Sequence, residues 1–163
     1  MITRRSKSIL ETKRVAKKVL LMLSAARKES ASASRKLDGK EATVLVCSGN
    51  LSAGKTTFAQ SLAKHLGIRE RITSPTFVIQ KTYKLPLSAK KKFGFSHFVH
   101  IDAYRLDNEK ELKVLHFKEI AEDPGNLVLI EWGERVKKIL PASYRALHFI
   151  FINETTRQIS LTK

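Results

Sequence analysis

The chain has 163 residues, 42% of them hydrophobic, with 7 Gly and 4 Pro, a composition that fits one compact domain and excludes collagen-like, low-complexity and wholly disordered chains. Its single cysteine excludes an internal disulfide, and no apolar run reaches the roughly 18 residues needed to cross a bilayer, so a soluble, cytoplasmic protein held by packing is expected. Lysine and arginine number 31 against 15 acids, a net charge of +16, which points toward a polyanionic neighbour such as nucleic acid or an anionic lipid surface without naming a function.

Half of that excess lies in residues 1–42, where twelve Lys/Arg face four acids. Within residues 8–27, Ile9, Val15, Val19, Leu20 and Leu23 recur at mostly helical spacing among Lys13, Arg14, Lys17 and Lys18, which predicts a basic amphipathic helix that packs on or leads into the main domain. Residues 29–40, rich in Ser, Ala, Lys and Gly, read as a flexible connector. Residues 1–42 are therefore expected to form a basic helix and linker, and residues 43–163 the main domain.

The run Thr43-Val44-Leu45-Val46-Cys47 is short and rich in β-branched residues, the pattern of a buried central strand. Residues 55–66 place Phe58, Ala59, Leu62, Ala63 and Leu66 on one helical face and stop at Gly67, a glycine C-cap. Residues 76–83 and 96–102 read as strands able to pair as a hairpin, with a basic loop at 85–92 between them. A helix at 108–119, a turn at Asp123-Pro124-Gly125-Asn126, an apolar strand at 127–131, a short helix at 133–140 and a closing antiparallel hairpin of 148–152 with 157–161 complete the pattern. The expected fold is a three-layer α/β P-loop domain around a mixed, mainly parallel sheet with a C-terminal antiparallel hairpin.

Between the first buried strand and its helix, Gly49-Asn50-Leu51-Ser52-Ala53-Gly54-Lys55-Thr56 satisfies G-x-x-x-x-G-K-[ST] in the context that motif demands. Glycines allow successive N–H groups to turn inward, the helix adds the positive end of its dipole, Lys55 reaches the β- and γ-phosphates, and the Thr56 hydroxyl is suited to Mg²⁺. Such a loop also needs a carboxylate at the end of an apolar strand. Two are available, Asp102 after Phe98-Val99-His100-Ile101 and Glu131 after Leu127-Val128-Leu129-Ile130. Spacing leaves open which of them holds metal and which handles the attacking water. The absence of an N-K-x-D segment favours adenine over guanine.

Taken with Thr57-Phe58 after the phosphate loop, the segments Ser74-Pro75-Thr76-Phe77, His100-Ile101-Asp102-Ala103-Tyr104-Arg105-Leu106 and Ile130-Glu131-Trp132 carry a closer resemblance. Over about residues 43–135 the chain resembles the bacterial tRNA threonylcarbamoyladenosine biosynthesis ATPases of the TsaE family. The resemblance implies a small Mg²⁺-dependent ATPase, weak alone, that supports the TsaB and TsaD pair in placing threonylcarbamoyl on the adenosine next to the tRNA anticodon, without performing that transfer. It further implies that Gly49, Leu51, Ser52, Ala53, Gly54, Lys55, Thr56 and Thr57 wrap ATP and that Thr56 and Glu131 hold Mg²⁺. By the same resemblance Asp102 and Lys55 serve hydrolysis, Thr76 belongs to a switch-like segment near the γ-phosphate, Trp132 lies near the nucleotide and the partner surface, and Arg157 lies near the base. Asn50 and Ser52 depart from the Asp and Gly usual in the family, at positions outside the fixed P-loop pattern.

Other residues read more plainly. Cys47 is a buried small hydrophobe, and His97 and His100 show no metal-site spacing, although His100 shares a strand face with Asp102 and would position it. On a continuing strand Trp132 points away from Glu131. Lys84, Lys90, Lys91 and Lys92 form either a solvated loop or a contact to tRNA or an acidic partner. Two rival readings are a small-molecule kinase, with Asp102 accepting a substrate proton, and a basic RNA-binding module that uses nucleotide structurally.

Overall fold

The computed structural model describes residues 2–32 and 41–162. In chain order its elements are β1 (Ile2–Ser6), α1 (Ile9–Ser32), β2 (Thr43–Ser48), α2 (Lys55–His65), β3 (Gln80–Lys84), α3 (Leu87–Phe93), β4 (His97–Asp102), α4 (Glu109–Val114), α5 (Phe117–Glu122), β5 (Asn126–Glu131), a 3-10 helix (Gly133–Ile139), β6 (Arg145–Phe151) and β7 (Arg157–Thr162).

The continuous apolar runs become the middle of one seven-stranded sheet, ordered β1-β7-β6-β2-β5-β4-β3. Parallel pairing joins β6, β2, β5 and β4, while β3, β7 and β1 add antiparallel at the edges. Alternate residues of the central strands enter opposite cores, as the two-residue strand period requires. Leu45, Cys47, Phe98, Leu127 and Leu129 pack with α1, α2 and α3, whereas Val44, Val46, Val99, Ile101, Val128 and Ile130 pack with Leu112, Phe117 and Val136 on the other face. The architecture is three-layer α/β with a mixed sheet and a terminal antiparallel pair. Among the described residues no helix is long and apolar enough to cross a membrane.

Several elements differ from expectation. Residues 2–6 form an edge strand on β7, a pairing between chain ends that local pattern does not announce. Helix α1 continues through Ser32 into the expected connector, of which residues 33–40 lie outside the described residues. Its start is capped by side chains: Ser8 Oγ accepts from Glu11 N–H at 3.2 Å, and Glu11 Oε2 accepts from Lys7 N–H at 2.6 Å. The expected basic loop at 85–92 contains α3, because Leu85, Ala89 and Phe93 form an i, i+4, i+8 stripe that is buried beneath the lysines. The expected helix at 108–119 is broken at His116, which adopts φ 57° between α4 and α5.

Ala16, Val19, Leu20 and Leu23 of α1 are buried in the same core as Phe58, Leu62 and Leu66 of the α2 region. The first helix therefore packs on the helix that follows the phosphate loop.

Candidate active site

The Gly49–Thr56 loop leaves the carboxyl end of β2, at the point where the sheet runs to β6 on one side and β5 on the other. Crevices at such switch points are where open α/β sheets bind ligands. Gly49, Ser52 and Gly54 take φ of +134°, +60° and +100°, which turns the backbone of the loop into a concavity. At Gly49 a Cβ would overlap the Phe149 carbonyl oxygen, so strand β6 passes too close for any side chain. Gly54 caps α2 and packs against the aliphatic stem of Arg157.

Register then places the two carboxylates. In the parallel pairs Glu131 stands opposite Cys47 of β2 and opposite Asp102 of β4, so both acids end neighbouring strands beside the phosphate loop. Glu131 is 2% exposed and bonded through both oxygens: Thr56 Oγ1 donates to Oε2 at 2.9 Å, and His100 Nε2 lies 2.9 Å from Oε1. Asp102 is 3% exposed, and its Oδ2 receives the hydroxyls of Ser74 and of Thr76, the latter at 2.6 Å, while Oδ1 receives the Tyr104 N–H at 3.0 Å. The expected His100–Asp102 pairing is thus replaced by a His100–Glu131 pairing across β4 and β5.

Lys55 Nζ donates to the carbonyls of Gly49 at 2.6 Å and Asn50 at 2.9 Å and sits 3.8 Å from the Trp132 ring centre. Burial pulls the ammonium below the ordinary lysine range, with Glu131 and Glu134 opposing that shift. Trp132 reaches this place because β5 stops at Glu131 and Trp132 adopts φ 59°, turning its ring toward Lys55 and Tyr104, whose ring centre is 5.2 Å away. The expectation of a ring pointing away fails because the strand does not continue. Cys47 is fully buried, and burial, reinforced by Glu131, pushes its thiol well above the usual range.

A 620 Å³ cavity joins these groups, lined by Leu51 through Thr57, Ser74, Thr76, Asp102, Tyr104, Glu131, Trp132 and Arg157. Lys7, Ser8, Ile9 and Thr12 form a wall that the sequence reading placed outside the site. The Ser8-Ile9-Leu10-Glu11 capping signature marks where that wall begins, but nothing local says that the helix start faces the phosphate loop. Thr56 and Glu131 offer the oxygen donors of a site that Mg²⁺ shares with phosphate and water, and both point into the cavity wall beside the loop, so the residues present fit that ion.

The family model for threonylcarbamoyl adenosine biosynthesis protein TsaE matches residues 9–159. The chain belongs to the TsaE family. It is 34% identical over 121 residues to the tRNA threonylcarbamoyladenosine biosynthesis protein TsaE of Rickettsia prowazekii, covering 74% of this chain and 77% of that one. To the TsaE of Bacillus subtilis it is 33% identical over 123 residues, covering 76% and 71%. The crystal structure of Bacillus subtilis YdiB matches with a TM-score of 0.64 and 27% identity over 98% of this chain and 83% of that one. As a TsaE protein the chain is assigned to tRNA threonylcarbamoyladenosine biosynthesis. The TsaE match begins at Ile9, so it takes in the α1 wall of the cavity as well as the phosphate loop.

Proposed function

We propose that this TsaE protein binds ATP with Mg²⁺ in the phosphate-loop cavity and hydrolyses it slowly until the TsaB and TsaD pair engages it during tRNA modification. The observation that carries the reading is the convergence of Lys55, Thr56, Glu131 and Asp102 on one cavity at the end of β2. Thr56 and Glu131 would hold the metal, which when bound neutralises phosphate charge and fixes phosphate orientation. Lys55 exchanges the carbonyls of Gly49 and Asn50 for phosphate oxygens, and the inward amides of the loop oppose the charge that develops on the transferred group.

Asp102 serves the attacking water, but Ser74 and Thr76 occupy its Oδ2. Withdrawal of residues 74–76 would free Oδ2 for that water, whereas Oδ1 accepts one bond, from Tyr104 N–H, and keeps a second acceptor site. The next two side chains, Phe77 and Val78, are 85% and 63% exposed and offer a partner protein the means to move that segment. Leu51 and Ile9, 72% and 63% exposed, extend the apolar rim on other sides of the cavity.

Phosphate release measured with and without purified TsaB–TsaD and tRNA tests the proposal. Release should be slow for the protein alone and faster with the pair; no release under either condition rejects it.

A further inference from the structure

The cations of this chain are not spread evenly. From Lys55 to His100 there are nine Lys or Arg and one acid, Glu70, whereas from Ala103 to Arg135 there are eight acids and five cations. The fold gathers part of the basic stretch around a second, open cleft of 1310 Å³ that shares no lining residue with the phosphate-loop cavity. One wall is the end of α2 with Lys64, the next is the loop carrying Arg69 and Arg71, and the far wall is the β3–α3 junction with Lys84. All four are exposed, and among the described residues none lies within ion-pair distance of a carboxylate. Lys90, Lys91 and Lys92 continue the positive surface along α3.

The backbone beneath the cleft is tied to α2 at both ends of the loop. Gln60 Nε2 donates to the Ile72 carbonyl at 2.9 Å, Ile68 N–H donates to the Ala63 carbonyl at 3.1 Å, and Ile72 is 4% exposed in the core. The two walls close at the base, where a Cβ on Gly67 would stand 3.1 Å from Pro86 Cγ. A concave frame bearing four cations and one acid, Glu70, with no aromatic side chain in its lining, lacks the aromatic anchors of a protein-binding patch. It has the charge density of a surface that follows a phosphate backbone.

We propose that the cleft between α2, the 67–72 loop and the β3–α3 junction binds the phosphate backbone of RNA, independently of the nucleotide cavity. The loop that forms it continues through Thr73 into Ser74, so bound RNA lies one short segment from the Asp102 clamp.

The test is fluorescence anisotropy of labelled unfractionated tRNA against the full chain without nucleotide, across a potassium chloride series. It compares wild type with R69A/R71A/K84A and with K110A/K113A/K137A, which removes equal charge from the opposite helical layer. The cleft variant should bind at least about tenfold more weakly, with a salt slope shallower by about two to three, while the control changes about twofold or less. Unchanged melting temperatures verify that both variants fold. Equal losses in the two variants, absence of tRNA binding by wild type, or displacement of tRNA by polyglutamate as effectively as by unlabelled tRNA would each overturn the proposal. Because ATP is absent, its outcome is separate from that of the ATPase reading.

Discussion

His100 stands behind Glu131: its Nε2 is 2.9 Å from Glu131 Oε1, while the other oxygen faces Thr56. The ring is fully buried beside Phe98, and its Nδ1 has no hydrogen-bond partner among the described residues. A carboxylate accepts only, so Nε2 carries the proton and donates it. His100 thereby fixes one oxygen of the proposed metal ligand, the kind of outer support whose loss typically costs ten- to a hundredfold in metal affinity. His100→Ala should weaken nucleotide binding about tenfold in Mg²⁺ and leave it unchanged in EDTA, and His100→Gln, which keeps a donor, should recover part of the loss. A fluorescent ADP analogue titrated under both conditions reads this out; equal weakening in EDTA would mean that the ring serves the fold alone.

Lys55 rests on two carbonyls and the face of Trp132, the single tryptophan of the chain. Phosphate binding draws the ammonium off that ring, so ATP should change the tryptophan emission. Lys55→Ala should abolish both that response and phosphate release. Undiminished turnover in this variant would remove the phosphate loop from the mechanism.

At Gly49 an alanine meets both a φ of +134° and the Phe149 carbonyl. Backbone strain of this kind costs about 1–3 kcal/mol before the overlap is relieved. Gly49→Ala should lower unfolding free energy by at least about 2 kcal/mol in urea titration, and a melting curve equal to wild type would show that β6 yields easily.

The Cys47 thiol is fully buried and held protonated by its surroundings. At pH 8 it should resist a thiol-reactive disulfide reagent in the folded protein and react stoichiometrically in denaturant, followed by absorbance. Rapid native reaction would indicate that β2 opens locally.

Legibility followed the range of the physics. The phosphate loop was readable because its backbone needs are local, and β2, β4 and β5 were readable because strands buried on both faces must be apolar throughout. The edge strand β1 was not, since Thr3, Arg4, Arg5 and Ser6 show no apolar alternation and the partner strand is at the far end of the chain. Three consecutive lysines concealed α3. The pairings His100–Glu131 and Ser74–Asp102 depend on strand order and on the path of the 67–79 segment, neither of which one sequence displays.

The same argument applies to α1, whose apolar face was legible but whose docking site was not. Leu20 is fully buried against the α2 layer, and the start of the same helix supplies Ser8, Ile9 and Thr12 to the cavity wall. Leu20→Ala removes buried methyl groups at a cost of about 2–5 kcal/mol, since a rigid helix pair collapses only partly around the void. If α1 is part of the site's frame, the variant should melt earlier and, at temperatures where it remains folded, bind the fluorescent ADP analogue more weakly than wild type. Loss of stability with unaltered affinity would mean that the cavity holds its shape without a fully seated first helix.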